Sequence, residues 1–163
     1  HNRLIKRLED IVLSFFLILI FYPLLWPILT IGVLLSGKGA LMFSQWRSGY
    51  RGADFKMYKF RSMVPNKEAN HEQAETDDSR ITSFGDFIRR WRLDEIPQFW
   101  QVLIGEMSLV GPRPHMLVHT EQYRHLVDRY MLRHFVKPGL SGLAQVQDLK
   151  GDHDLEAMKE RVK

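Results

Sequence analysis

A mostly helical α+β chain, with a membrane-length apolar segment, amphipathic helices and a small β-hairpin, is expected from three observations. No charged side chain occurs between Ile11 and Leu35. Two short runs, Leu41-Met42-Phe43 and Phe55-Lys56-Met57-Tyr58-Lys59-Phe60, flank the turn-forming stretch Ser48-Gly49-Tyr50-Arg51-Gly52. Beyond Arg80 the apolar residues recur at helical spacing.

The apolar run comes first in the chain. Membrane insertion needs about 20 apolar residues, and this run is too long, and lacks the small-residue cleavage site, for a secretory signal peptide. A straight span is the plain alternative. Against it stand Pro23 and Pro27, each of which removes a helix donor and favours a kink. Both flanks are also basic, with Arg3, Lys6 and Arg7 before the run and Lys38, Arg47 and Arg51 after it. The positive-inside rule then prefers both ends on the cytoplasmic side. A helix broken near Pro23 enters and leaves by one face. The expected division is a membrane-inserted segment, 1–38, and a cytoplasmic or interfacial part, 39–163.

In that second part the hairpin is followed by a polar, acidic stretch, residues 64–80, read as a solvated loop or exposed helix. Thr82 or Ser83 can cap a helix whose Phe84, Phe87, Ile88 and Trp91 share one face. A second helix is expected from Ile96-Pro97, with Phe99, Val102, Leu103 and Met107 as its apolar stripe. Gly111-Pro112-Arg113-Pro114 must be a loop. Tyr123, Leu126, Val127, Tyr130 and Met131 make a third amphipathic segment, bordered by Arg124, Arg129 and Arg133. Burial against the core and rest on the membrane interface both explain such a stripe. Pro138-Gly139-Leu140-Ser141-Gly142 is read as a loop and the charged C-terminal tail as helical.

Composition narrows the chemistry. The 163 residues suit one domain and include no cysteine, which excludes disulfides and thiolate metal sites. The net charge of +4 is uneven, with nine Lys and Arg against three Asp and Glu in residues 1–63. A basic N-terminal part suits anionic lipid or phosphate; nucleic acid competes. The chain starts at His1, so a fragment or processed chain is expected.

The strongest candidate for chemistry is Asp94-Glu95, just before Pro97. The plain alternative makes Asp94 a helix N-cap and Glu95 a favourable first-turn charge. The chemical reading uses the same physics: a helix start keeps Asp94 ionised, an ionised carboxylate can attack phosphorus, and Glu95 can hold Mg2+ together with substrate phosphates. A diphosphate also needs cations, which Lys59, Arg61, Arg89, Arg90, Arg92 and Arg113 supply. His115, His119, His125 and His134 lie close in sequence but lack the H-E-x-x-H pattern of zinc sites. The glycines match neither a Walker A loop nor a dinucleotide fingerprint, and no nucleic-acid-binding motif is present.

Taken in order, several segments carry a resemblance. They are Lys6-Arg7, the proline break, Phe43-Ser44-Gln45, Tyr58-Lys59-Phe60-Arg61-Ser62-Met63, Leu93-Asp94-Glu95-Ile96-Pro97-Gln98, Met107-Ser108-Leu109-Val110-Gly111-Pro112-Arg113-Pro114, and Pro138 through Val146. Across nearly the whole chain this resembles the bacterial sugar transferase family, the monotopic phosphoglycosyl transferases. The resemblance implies transfer of a hexose-1-phosphate from a UDP-sugar, UDP-glucose favoured, to undecaprenyl phosphate, with release of UMP at the start of exopolysaccharide assembly. It implies Asp94 as nucleophile, Glu95 and Asp94 at Mg2+, and Lys59 as a basic residue near the site. Arg61, Arg89, Arg92, Arg113, Pro112 and Pro114 are the expected substrate-binding set. It implies a re-entrant membrane helix, amphipathic interfacial helices, and a site and hairpin on the cytoplasmic face of the bacterial inner membrane. Two departures are visible: family members often show Ser-Pro at the membrane break, where this chain has Tyr22-Pro23 and Trp26-Pro27, and they continue past the equivalent of Lys163. Self-association is left open. The competing function is a membrane-anchored basic module for nucleic acid or anionic lipid; a flippase component lacks the spans it needs.

Overall fold

A computed structural model describes residues 2–65, 78–127 and 129–146. Its order is α1 (Asn2–Leu35), β1 (Met42–Ser48), β2 (Asp54–Phe60), α2 (Ser83–Arg90), α3 (Gln98–Ile104), β3 (Ser108–Val110), α4 (Leu117–Tyr123), β4 (Gly139–Ser141) and α5 (Leu143–Val146). It is a mostly helical α+β structure with a long apolar helix and two small sheets.

The apolar run forms α1, and Pro23 and Pro27 lie inside that helix without ending it. Among the described residues α1 is the one helix long and apolar enough to cross a membrane. Most of its large apolar side chains are exposed, Leu19 by 58% for example. One stripe is not: Tyr22, Leu25, Trp26, Leu29 and Val33 pack on Phe60, Ile88 and Ile96. Polar side chains fasten both ends. Arg7 donates to the Val102 and Leu103 carbonyls at 2.7 Å each, meeting acceptors in the last turn of α3. Asp10 accepts from Ser108 Oγ at 3.1 Å and from the Leu109 amide at 3.0 Å. At the other end Arg61 donates to the carbonyls of Val33, Gly37 and Lys38, completing the α1 C-terminus.

The hairpin forms as expected, with β1 longer than its apolar run suggested. The strands pair antiparallel from Met42–Phe60 to Ser48–Asp54. The free edge of β2 is satisfied by one buried glutamine: Gln101 accepts from the Tyr58 amide at 3.0 Å and donates to the Lys56 carbonyl at 2.9 Å. That stitches α3 to the sheet and buries Phe55 and Met57 against Val102 and Met107.

Four expectations change. The face Phe84/Phe87/Ile88/Trp91 splits: Ile88 is buried, whereas Phe87 and Trp91 are exposed, because α2 stops at Arg90 and packs only along its Phe84–Ile88 side. Met107 lies beyond α3, and β3 follows it, pairing parallel with β4 where a loop was expected at 138–142. Three-residue strands are too short for alternation to be legible. Gly111 and Gly139 permit this pairing, since a Cβ on either would strike the other's backbone. The third amphipathic segment is not one helix. α4 ends at Tyr123, Arg129 adopts the left-handed conformation (φ 62°), and a 3-10 turn runs from Tyr130 to Phe135. Tyr123, Val127 and Tyr130 still form a buried cluster, but Leu126 and Met131 are exposed. The C-terminal tail beyond Val146 and most of the acidic stretch lie outside the described residues.

Candidate active site

The two adjacent carboxylates are sent in different directions by one reversal of the chain. Trp91 caps α2, and Arg92 turns left-handed at φ 56° and ψ 21°. A non-glycine residue there costs about 1–2 kcal/mol. The following 3-10 turn, Leu93–Glu95, folds back onto β2. Asp94 is left only 5% exposed, while Glu95 remains half-buried.

Asp94 caps nothing. The N-cap of α3 is Pro97, the residue before the 3-10 turn is Arg92, and neither position makes a side-chain cap. That removes the plain alternative for Asp94. A carboxylate without a capping role, buried beside a lysine, is an uncommon arrangement and a candidate for chemistry.

Burial pushes the Asp94 carboxyl above its ordinary value and the charge of Glu95 adds to this, while Lys59 and Arg89 pull it back. Burial also lowers Lys59 to about 8, against the attraction of Asp94 and Glu95 and with reinforcement from Arg89 and Arg47. At neutral pH Lys59 therefore keeps its proton and Asp94 faces a cation. Lys59 is held from behind by Phe43, its partner across the hairpin, with the ammonium 5.5 Å from the ring centroid.

Glu95 meets a second pair of cations, Arg113 at 3.5 Å and Arg92 at 3.9 Å. Arg113 sits on a loop tied at nearly every residue. The Gly111 amide donates to the Ser141 carbonyl and the Gly139 amide to the Pro112 carbonyl, both at 2.9 Å. Arg133 donates to the Arg113 carbonyl at 2.8 Å, and Arg47 to the Pro114 carbonyl at 3.3 Å. The Ser48 amide donates to the His115 carbonyl at 3.1 Å. With two prolines limiting its backbone as well, Arg113 is pre-positioned.

Lys59, Arg89, Asp94, Glu95, Arg92 and Arg113 are thus brought together, and Pro112 and Pro114 shape the loop beside them. Arg61 is not turned to this cluster; its guanidinium is committed to the end of α1. Arg90 pairs with Asp86 at 2.6 Å on an exposed face. Two residues the sequence reasoning missed are Arg47 and Arg133, which act on backbone carbonyls. Nothing in their spacing marks that role. His115 joins the same support: its Nδ1 lies 2.7 Å from the Tyr130 hydroxyl and 3.2 Å from Arg133.

Glu95 is the more accessible of the two carboxylates, its side chain 12% exposed. Mg2+ takes one or two carboxylates and fills the remaining positions with water and phosphate oxygens, so this donor set suits that ion only with a phosphate substrate present. No group of three metal-ligating side chains occurs among the described residues.

The sequence profile of the bacterial sugar transferases matches residues 1–163. The chain belongs to the bacterial sugar transferase family. It is 50% identical over 163 residues to the UDP-glucose:undecaprenyl-phosphate glucose-1-phosphate transferase of Escherichia coli K12, covering 99% of this chain and 35% of that protein. It is 44% identical over 143 residues to an Aeromonas hydrophila UDP-N-acetylgalactosamine-undecaprenyl-phosphate N-acetylgalactosaminephosphotransferase, covering 87% of this chain and 34% of the relative. An exopolysaccharide production protein of Rhizobium leguminosarum is 38% identical over 158 residues, covering 94% of this chain and 78% of the relative. Relative to the first two, the chain of this sugar transferase spans about a third of their length.

Proposed function

We propose that this chain is the catalytic part of a phosphoglycosyl transferase that moves glucose-1-phosphate from UDP-glucose to undecaprenyl phosphate and so starts exopolysaccharide assembly. The observation that carries the proposal is Asp94: buried, capping no helix, and opposite Lys59, one residue from an accessible carboxylate flanked by two arginines. The glucose choice rests on the Escherichia coli relative's printed activity.

In this mechanism an Asp94 carboxylate oxygen attacks the β-phosphorus of the UDP-sugar. The bond from that phosphorus to the α–β bridging oxygen breaks, and UMP leaves with the electron pair. The sugar phosphate is now held on Asp94 as an acyl phosphate. An oxygen of the polyprenyl phosphate then attacks the same phosphorus, the bond to Asp94 breaks, and the carboxylate returns. Lys59 and Arg89 stand beside the charge that builds on the phosphoryl oxygens; Arg113 meets the donor diphosphate. Glu95 is the residue that would hold Mg2+, which supplies charge neutralisation for the diphosphate. Phe87 and Trp91 do not roof the acyl phosphate, because both are exposed; shielding comes from the burial of Asp94 itself. With sugar-labelled UDP-glucose and no acceptor, label should remain on the wild-type protein after quenching and be absent from Asp94→Asn. Good turnover without any such label, with sequential kinetics, would falsify the covalent route.

The membrane arrangement belongs to the same proposal. Thirty-four helical residues extend for roughly 50 Å, against a hydrocarbon core of about 30 Å, and Pro23 and Pro27 inside α1 are where a bend would return it to the face it entered. Arg7 and Asp10 near its start and Val33 near its end are fastened to one body that carries many charges. A single crossing puts those fastenings on opposite sides of the bilayer; entry and exit by the same cytoplasmic face does not. The exposed Phe87, Trp91, Trp100 and Ile104 lie on or beside helices that pack on α1 and suit the interfacial zone. Cysteines at positions 6 and 38 should label from the same side; labelling from opposite sides rules out the re-entrant arrangement.

A further inference from the structure

Beside Glu95 a cavity of about 430 Å³ opens between α1, the turn before α3, and the β4–α5 segment. Its walls are Phe21, Trp91, Ile96, Phe99 and Leu140, and its charged residues are Arg92 and Glu95. We infer that this groove seats the first isoprene units of the acceptor lipid, with Arg92 meeting the acceptor phosphate at its polar end. The inference rests on the function proposed above and adds the place where the acceptor binds.

Three features favour this occupant over others. A uridine and a hexose present many hydrogen-bonding groups, and a cavity that takes them needs matching polar groups; here Ser141 and Gln145 are the neutral polar lining residues. One wall belongs to the membrane helix itself, since Phe21 lies within the uncharged run and faces Phe99 at 6.2 Å between ring centroids. A ligand can therefore pass from the lipid into the groove without crossing water. The polarity is also ordered: Glu95 and Arg92 lie one and two residues from Asp94, and the apolar lining includes Phe21 of α1. An anionic head with a long apolar tail matches that order. The arrangement also separates two substrates that must meet the same carboxylate in turn: the donor approaches Lys59, Arg89 and Arg113, and the acceptor lies along the groove with its phosphate at Arg92.

The test uses the full-length parent protein in nanodiscs and reads the two half-reactions separately. Exchange of labelled UMP into UDP-glucose reports the donor step without acceptor, and product formation with undecaprenyl phosphate reports the second. Leu140→Trp and Val146→Trp narrow the groove. Each should lower the ratio of transfer to UMP exchange by about tenfold or more, since single side-chain changes in an apolar pocket alter selection on that scale. An unchanged ratio in both variants overturns the inference. Photocrosslinking with a diazirine-bearing polyprenyl phosphate decides the matter independently of turnover or of the variants' stability. Label on peptides carrying Phe21, Phe99 or Leu140, displaced by undecaprenyl phosphate, supports it. Label elsewhere overturns it, as does displacement by phosphatidylglycerol at equal concentration, which would mark a general lipid cleft. Wild-type protein that exchanges no UMP with any UDP-sugar removes the functional proposal, while the crosslink still decides what occupies the groove.

Discussion

α1 and the turn carrying Asp94 treat their side chains in opposite ways. Along α1 large apolar residues stand exposed, Leu19 by 58%, while in the turn a carboxylate is 5% exposed. In water both choices cost free energy: exposed apolar surface about 25 cal/mol per Å², a buried unpaired carboxylate several kcal/mol. Each becomes reasonable once its partner is supplied. For α1 that partner is, in the proposed membrane arrangement, the acyl region of a bilayer; for Asp94 it is Lys59 and Arg89 and, in the proposed reaction, phosphorus. The contrast separates side chains placed for solvation from side chains placed for work.

Replacing the working carboxylate should have the largest effect. Asp94→Asn is expected to lower turnover by on the order of 10⁴-fold or more, as loss of a nucleophile does. The melting temperature should hold or rise, because a neutral amide removes a charge that burial and the neighbouring Glu95 disfavour. A large loss of stability instead would place Asp94 with the structural residues and erase the contrast.

Glu95 sharpens the difference between neighbours. Glu95→Gln, or chelation of divalent ions, should cost about 10²–10³-fold in turnover with membrane association intact. Near-wild-type rates in chelator would take the metal role away from it.

Lys59 supplies a pH test. Its pKa in the fold is about 8, below the ordinary lysine value, chiefly through burial. Turnover that needs the ammonium should fall about tenfold per pH unit above that value. Lys59→Arg should move this alkaline limb upward. The sign for stability is the reverse: the charged form is disfavoured in the fold, so Lys59's destabilising contribution is present below about 8 and fades as pH rises toward the unfolded value. A flat rate profile from pH 7 to 10 would deny Lys59 a charged role.

The smallest effect is expected at Arg133, which holds the Arg113 carbonyl and packs beside His115 and Tyr130. Arg133→Ala should raise KM for the UDP-sugar several-fold, leave kcat close to wild type, and cost about 1–3 kcal/mol in stability through the unmade hydrogen bonds. An equal fall in kcat would move Arg133 from positioning into the reaction.

Much of this was legible in the chain itself. The uncharged run specified an apolar helix because hydropathy is additive along the sequence, and Thr82 announced α2, where it accepts from the Gly85 amide at 2.9 Å. The hairpin followed from its turn residues. The family resemblance brought Asp94, Glu95 and Lys59 forward together. Arg61 shows the limit. It stands in the same motif as Lys59, two residues on, yet it serves the carbonyls at the end of α1. Spacing identifies a cation but not which acceptor it meets. The Tyr123–Met131 stripe failed for a related reason: a left-handed Arg129 breaks the helical period, and no residue type there demands it.

What the sequence determined by itself is therefore local or cumulative: the membrane-length apolar segment, the hairpin, the capped start of α2, the charge balance and the family motifs. Tertiary structure alone decided the rest. It set Asp94 against Lys59 and Glu95 between Arg92 and Arg113 within one 3-10 turn, anchored both halves of α1 to one body, set β3 beside β4, and assigned Arg47 and Arg133 to the carbonyls of the Arg113 loop. These outcomes depend on contacts between residues far apart in the chain, such as Arg7 with Leu103 and Arg61 with Val33. Their free energy exists only once the intervening segments have packed, so no local pattern of residues can encode them.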